Sequence, residues 1–432
     1  MTRNKLVLVA MATSTLALCA GQTIAGGLDR SGQSTSAIFN EPGTASLSYG
    51  SVQPSVTGTD ALGNSYDVAE DYQVTTLSYT GAFSDKLTYA LIIDQPYGAN
   101  VSYGNSPLTS VLGGTMADLS SDAATFVARY AITDRFSILG GVSIEGVQGN
   151  VSLNGLAYQT AIATSAVTSA FNSVLPNVLP DLTSTVLNAA LAGSATAQAA
   201  IDTLYGPGTF ASLAAQVGTA ASTFVSTGGY KFAMQNDTSI GYLIGAAYEI
   251  PDIALRLAAT YRFETEHSAS TTENLLGITQ NGTVDYVTPQ SFNLDFQTGI
   301  AQNTLLTANF RWTDFSSVDV VPDLLGNDLV NLENARRFSL GIARRFSDSF
   351  AGSVSISYEP DTHSATVSPL GPTDGLYGLT IGGRYTHKNI NITGGVNYTW
   401  LGDANAGVAG VPVASFNDNH VIGVGLKAEI TF

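Results

Sequence analysis

The last eleven residues constrain this chain more than any other stretch. From Ile422 to Phe432, alternate positions read Ile422, Val424, Leu426, Ala428, Ile430 and Phe432, and the positions between them read Gly423, Gly425, Lys427, Glu429 and Thr431. Successive side chains of a strand leave on opposite faces, so this segment has one apolar face and one polar or small face. The alternation recurs. Leu306, Ala308, Phe310 and Trp312 oppose Thr307, Asn309, Arg311 and Thr313, and Phe350, Val354, Ile356 and Tyr358 oppose Ser353, Ser355 and Ser357. The same rhythm runs through Phe136–Glu145, Ile240–Tyr248, Leu255–Glu264, Phe292–Gln297 and Ile390–Trp400. In a soluble sandwich the apolar face turns to a core. In a membrane barrel it turns to lipid and the polar face lines the lumen.

The N-terminus favours the barrel. Arg3 and Lys5 precede an apolar stretch from Leu6 to Cys19 that is too short to span a bilayer. Thr23-Ile24-Ala25 fits the small residues of a secretory cleavage site, so residues 1–25 read as a signal peptide. Cleavage after Ala20 would leave Leu18 in a position that favours a small residue, and Leu18 before Cys19 is a poor lipoprotein signal. Cys19 is the only cysteine and leaves with the leader, so disulfides and cysteine metal sites are excluded. No later apolar run reaches the roughly 18 residues of a transmembrane helix, so a membrane crossing must use strands. Charged residues are only 12% of the chain, which suits a surface that meets lipid. The net charge of −17 argues against nucleic acid as a partner.

Tight turns are expected at Ser84-Asp85-Lys86, Asp134-Arg135, Pro251-Asp252, Gln302-Asn303, Ser347-Asp348 and His387-Lys388-Asn389, with longer polar loops between them. Short turns at one end and long loops at the other are the asymmetry of outer-membrane barrels. About fourteen strands are expected, starting near Thr44, Tyr72, Leu87, Asp122, Phe136, Thr238, Ile253, Gln290, Thr304, Arg337, Phe350, Leu376, Ile390 and Asn419. Tyr49, Tyr72, Tyr103, Tyr130, Tyr248, Tyr358, Tyr398 and Trp400 fall near strand ends, where interface girdles would lie. Phe432 as a final aromatic on an amphipathic strand resembles the signal read by barrel-assembly machinery.

Three segments break the pattern. Residues 26–43 lack alternation and read either as a periplasmic tail or as a lumenal plug. Residues 156–228 are rich in Ala, Ser and Thr, with Leu175, Leu179, Leu182, Val186, Leu187 and Leu191 at helical spacing. Pro176, Pro180 and Gly206-Pro207-Gly208 cut them into short helices. This reads as an extracellular loop, either a structural cap or a surface that captures apolar ligands. Finally, Pro96, Tyr97 and Gly98 interrupt the strand that begins at Leu87. Proline lacks the N–H of a ladder and glycine weakens a strand. Either the strand ends at Asp94, or the wall carries a gap here.

Four segments in order carry a family likeness: STSAIFNEPGTASLSYG (34–50), LTYALIIDQPYGANVSY (87–103), SIGYLIGAAYEIPDIALRLAATYRFETEHSAS (239–270) and PQSFNLDFQTGIAQNTLLTANFRWTDFSSV (289–318). With the strand-turn-strand rhythm of residues 337–432, they make the chain resemble the FadL-type transporters of long-chain fatty acids and aromatic hydrocarbons. The resemblance implies an all-β fold: a monomeric, fourteen-stranded antiparallel transmembrane β-barrel over residues 44–432, with a hatch at 26–43 and a helical extracellular loop at 156–228. It implies passive passage of hydrophobic small molecules across the bacterial outer membrane, with capture in an outer groove and lateral exit at a kinked third strand into lipid. Where the family's hatch carries Asn-Pro-Ala, this chain has Asn40-Glu41-Pro42-Gly43, and its hatch is short.

A carboxylate ligand would need a lumenal cation. The lumen-facing candidates are Arg256, Arg262, Arg311, Arg384 and Lys427, with Asp295, Glu264 and Glu429 as acids that would pair with them. No enzyme is expected, and no cofactor. His267, His363 and His387 are placed in loops or turns and His420 near a strand end, and none sits in a catalytic motif. Asp319, Asp323, Asp328 and Glu333 do not match a calcium loop, so they read as a solvated acidic loop and no metal is expected. A general diffusion porin and a structural or adhesive barrel are the alternatives.

Overall fold

The computed structural model describes residues 28–175 and 179–432. The expected signal peptide at 1–25, the first two residues of the hatch and Pro176 lie outside the described residues. The described chain is dominated by strands that close on themselves. The staves are β1 (Thr44–Ser55), β2 (Tyr72–Ser84), β3 (Leu87–Asp94 and Gly98–Ser102), β4 (Met116–Ala131), β5 (Phe136–Leu153), β6 (Tyr230–Ile250) and β7 (Leu255–Arg262 and Thr265–Leu275). They continue as β8 (Ile278–Thr288 and Ser291–Ala301), β9 (Thr304–Thr313), β10 (Ala335–Arg345), β11 (Phe350–Glu359), β12 (Leu376–His387), β13 (Ile390–Leu401) and β14 (His420–Thr431). Each pairs antiparallel with its sequence neighbours. β1 and β14 close the ring in register from Thr44↔Thr431 to Ser55↔His420.

Closure is what the sequence pattern demands. Along the staves the more apolar face turns outward and the more polar face turns in, apart from inward apolar residues such as Ile92, Leu139 and Leu243 that pack on the segment before β1. On β14, Ile422, Val424, Leu426 and Ala428 are exposed while Val421, Gly423, Gly425 and Glu429 are buried. In hydrocarbon no water serves the backbone, so every N–H and C=O of the wall needs a protein partner, and a ring has no edge. No helix among the described residues is long and apolar enough to cross a membrane. The six short turns all lie at the end where Thr44 meets Thr431, each at an expected place.

At the other end the staves outrun the expectation. β4 begins at Met116 and β6 at Tyr230, several residues before the expected starts. β7 and β8 continue outward as a hairpin across residues 265–288, turning at Leu276 and Gly277, both with positive φ (51° and 82°). That pair of left-handed residues makes the turn that matches strand twist. Strands were not expected at 265–288, because outside the membrane both faces are polar and alternation fades. His267, expected in a loop, therefore sits within β7.

The Ala-rich loop folds into α1 (Leu156–Asn172), α2 (Ser184–Leu191), α3 (Ala195–Tyr205) and α4 (Thr209–Ser226), which bury Ala163, Leu182, Leu187, Ile201 and Leu213 among themselves. Leu175, Leu179 and Leu182, expected at helical spacing, lie outside the helices, and Leu182 is a buried anchor just before α2. The side chain of Asp202 accepts from the N–H of Phe210 (2.8 Å), serving an orphan donor in the first turn of α4.

A second, four-stranded sheet of Thr57–Asp60, Ser65–Asp67, Ala404–Val408 and Val411–Phe416 joins the first and last extracellular loops. Tyr103, expected in a girdle, is buried here. Its ring meets those of Tyr66 (5.1 Å) and Phe416 (6.3 Å), and its hydroxyl donates to Pro369 O (2.8 Å). Asp60 organises this cap. Burial works against its carboxylate, but hydrogen bonds from Tyr66, Asn64 and the Val111 N–H outweigh it and hold the pKa at about 2.

Two outcomes are expected. Val354 faces lipid midway along β11, and Ser355 beside it faces the lumen. Val354→Arg should cost about 2–4 kcal/mol of barrel stability, and Ser355→Arg markedly less, in reversible unfolding from vesicles; equal costs would reverse the assignment of faces. Asp60 has a depressed folded-state pKa, so its contribution is whole above its ordinary value of 3.8 and is lost as pH falls toward about 2. Proteolysis of the 57–67 loop should therefore rise between about pH 4 and pH 2, and Asp60→Asn should show the rise already at neutral pH.

Candidate functional site

The segment before β1 lies inside the barrel. A single 3-10 turn, Ser36–Phe39, places Ile38 fully buried among Ala90, Ile92, Val127, Leu139 and Leu243 of the wall. Phe39 lies beneath two guanidinium groups, with Arg256 at 4.4 Å and Arg129 at 5.0 Å from its ring centroid. Above it the segment is held by polar contacts. Asp29 forms a buried ion pair with Arg311, which also donates to Asn293 Oδ1 (3.1 Å) and Gln33 Oε1 (3.3 Å). Gln33 Oε1 further accepts from Ser291 Oγ and the Tyr97 hydroxyl (both 3.3 Å), and Asn293 donates to Gly32 O (3.1 Å). These bonds place residues 28–39 in the lumen, not in a periplasmic tail.

Asn40, Glu41, Pro42 and Gly43 form the connector into β1. Asn40 is buried, while Glu41 and Pro42 are exposed. The Gly43 N–H donates to Thr80 O (2.8 Å) and its carbonyl accepts from the Phe432 N–H (3.1 Å), which ties the connector to the seam of the barrel.

The third stave is kinked at Pro96, Tyr97 and Gly98. The strand does not end at Asp94. It resumes at Gly98 on the same partner: Asp94 pairs with Ala123 and Gly98 with Ser120, so Gln95, Pro96 and Tyr97 face only Ser121 and Asp122. One extra residue makes a bulge. Ser121 Oγ supplies what the ladder lacks, accepting from Tyr97 N–H (2.8 Å) and donating to Tyr97 O (2.9 Å). The Tyr97 side chain is buried in the lumen against Phe315. The inner segment pairs with the bulge: Arg30 N–H donates to Pro96 O (2.8 Å) and Gly98 N–H to Leu28 O (2.9 Å).

On its other side the bulge interrupts the ladder of the wall. The β2–β3 ladder stops at Leu77↔Ile93. Residues 98–102 pair with β4, and contact with the β2 side resumes only at Ala69↔Val101. Between these points, Tyr72–Thr76 and Gln95–Ala99 face each other without a ladder. A side chain crosses there, with Thr75 N–H donating to Gln95 Oε1 (3.1 Å).

Two cavities meet at this place. The larger, about 140 Å³, runs from the extracellular loops at Val320, Leu329 and Leu370, past Phe232 and Met234, to Leu28 and Ala99. The smaller, about 50 Å³, is lined by Val68, Tyr72, Gly98, Ala99, Val421 and Arg30, and shares Ala99, Leu370, Gly371 and Thr373 with the first.

None of the five candidate cations lines either cavity. Arg256 donates to Gln297 Oε1 (3.0 Å) beside Phe39. Arg262 reaches Gln33 O (3.5 Å), and Arg311 holds Asp29, while Asp295 takes Asn309. Arg384 (3.8 Å) and Lys427 (2.9 Å) meet at Glu429 near the turn end. The expected acid Glu429 is thus a partner, but the acid opposite Arg311 comes from the inner segment. Tyr72, expected in a girdle, stacks under Arg30. Sequence reasoning passed over Arg30, although it is the one basic residue in 26–43.

Known proteins share this fold. A family model for outer membrane transport proteins of the OMPP1/FadL/TodX type matches residues 3–407. The chain belongs to that family. It is an outer-membrane transport protein and not an enzyme. A FadL homologue of Pseudomonas aeruginosa has the same fold, with a TM-score of 0.63 at 15% identity over 92% of this chain and 94% of that one. The toluene transporter TodX of Pseudomonas putida gives 0.58 at 16% over 95% and 97%. The toluene transporter TbuX of Ralstonia pickettii gives 0.55 at 16% over 92% and 91%. No curated protein matches the sequence significantly.

Removing one partner of a buried ion pair strands the other, at a cost of about 3–5 kcal/mol. Arg311→Ala should therefore unseat residues 28–39 while the wall ladder survives. The expected result is new protease cleavage within 28–39 and raised ion conductance, with the heat-modifiable mobility of the folded barrel unchanged. Full protection of that segment would show that the ion pair does not seat it.

Proposed function

We propose that this protein carries hydrophobic small molecules from the cell exterior into the outer membrane, with long-chain fatty acids and monoaromatic hydrocarbons as the substrate classes. The observation that carries the reading is the meeting of the apolar cavity with the wall gap at Ala99. A ligand enters beneath the extracellular loops, where the larger cavity offers Val320, Leu329, Phe232 and Met234. It descends to Leu28 and meets the floor made by the seated hatch. The path onward runs sideways through the smaller cavity and out between Tyr72–Thr76 and Gln95–Ala99 into lipid. Burying apolar surface drives the first step, and the lipid beyond the gap is as apolar as the cavity, so the last step needs no energy source. A single barrel holds the whole path.

Other features bear on the alternatives. A general porin needs a wide wet lumen. Here residues 28–39 occupy it: Asp29 pairs with Arg311, Ile38 packs on the wall, and Phe39 lies under Arg129 and Arg256. The family's name and the toluene transporters among its structural neighbours favour an apolar substrate.

Deleting Gln95 and replacing Pro96 by Thr removes the extra residue and restores an N–H, which should let β2 and β3 pair without interruption. Cells carrying the protein should take up labelled long-chain fatty acid and toluene but not a hydrophilic sugar. The sealed variant, folded by heat-modifiable mobility, should take up neither hydrophobic probe above cells lacking the protein. Passage of the sugar, with fatty-acid uptake indifferent to the seal, would make this a general porin.

A further inference from the structure

We propose that Arg30 is the latch of the wall gap, a specificity-determining residue that bars the smaller cavity until the ligand displaces it. The inference rests on the lateral route proposed above and identifies the group that controls it.

Arg30 touches both edges of the gap. On the β2 edge its guanidinium lies over the ring of Tyr72, 4.2 Å from the centroid. On the β3 edge its Nη2 donates to Asn100 Oδ1 (2.5 Å), and Asn100 is held in turn by its own donation to Asp118 (3.1 Å). Its backbone N–H donates to Pro96 O, so the latch is anchored on the bulge itself (2.8 Å). A cation over an aromatic face and a hydrogen bond to an amide give one planar group two directional holds.

Gly98 explains why the guanidinium fits. A Cβ at position 98 would lie 2.4 Å from Arg30 Cζ and 2.5 Å from Nε and Nη1, so the plane rests on a site that only glycine leaves empty. Gly98 does not have a positive φ, so the backbone does not require glycine here. The close approach of Arg30 does.

The latch also carries charge. Among the described residues, Arg30 is the one cation lining either cavity, and the acids Glu70, Asp118, Glu333 and Asp374 line them too. The acids repel a ligand carboxylate elsewhere in the cavities, so Arg30 is the one lining group that attracts it, and the carboxylate gains that partner by competing with Asn100 for its donors. A neutral hydrocarbon offers no acceptor and must displace the side chain without that exchange. The latch so placed favours an amphiphile with an anionic head over a neutral chain of equal length.

The test compares uptake of a labelled long-chain fatty acid and a labelled alkane of matched length in vesicles carrying the full chain. Arg30→Ala should raise alkane uptake several-fold and abolish the preference for the fatty acid. Gly98→Ala should act in the same direction by displacing the guanidinium, and should add nothing in the Arg30→Ala background. Arg30→Lys keeps the charge without the planar stack, so it should retain part of the preference. An unchanged ratio in both single variants, with uptake still abolished by the sealed β2–β3 variant, would overturn the latch and leave the route intact. Equal loss of both uptakes in Arg30→Ala would also overturn it. If the sealed variant transports normally, the route itself fails.

Discussion

Everything in this structure depends on the backbone ladder closing on itself. Hydrocarbon offers no hydrogen bonds, so a wall of strands is stable there only if its first and last strands meet. β1 and β14 do so over their full length. Given that ring, a break in it is costly unless other groups serve the freed backbone. The bulge in β3 shows how this is done: Ser121 serves both polar groups of Tyr97, Gln95 reaches across to Thr75, and the hatch pairs with Pro96 and Gly98. The gap is a place where side chains and the hatch replace a ladder.

The hatch obeys different physics from the wall. Ile38, with Ala37 and Phe39 beside it, is fixed by apolar packing, but residues 29–36 are small or polar and make directional bonds to the lumen. A buried pair such as Asp29–Arg311 gains little net stability after desolvation, yet it penalises every arrangement that separates the partners. It fixes where the segment sits. Because the segment also pairs with the bulge, hatch and gap form one mechanical unit, and Arg30 is where the two meet.

Much of the wall was legible because lipid enforces strict alternation. The strands at Thr44, Tyr72, Leu87, Phe136, Thr304, Phe350, Leu376 and Ile390 begin where the pattern says. The pattern loses force where water touches both faces, which is why the 265–288 hairpin and the outer ends of β4 and β6 were missed. Within the Ala-rich loop, composition indicated helices, but uniform small side chains left their boundaries open. Pro96 and Gly98 flagged a break from local chemistry alone. Which residues meet there is a matter of long-range contact: Arg30 meets Asn100 seventy positions away, and Asp29 meets Arg311 across 282. Alternation sorts Arg256, Arg262 and Arg311 to the lumen but cannot say what they touch.

The central claim is that a hydrophobic ligand leaves through the side of the barrel. The most direct test is to load the protein in lipid vesicles with a photoreactive long-chain fatty acid, irradiate during transport, and map the labelled residues by mass spectrometry. Labelling on both edges of the gap, within Tyr72–Thr76 and Gln95–Ala99, is the expected result. Labelling at Glu41–Gly43 on the floor of the barrel, with the gap edges clean, would show that the ligand passes straight through to the periplasm and would contradict the account.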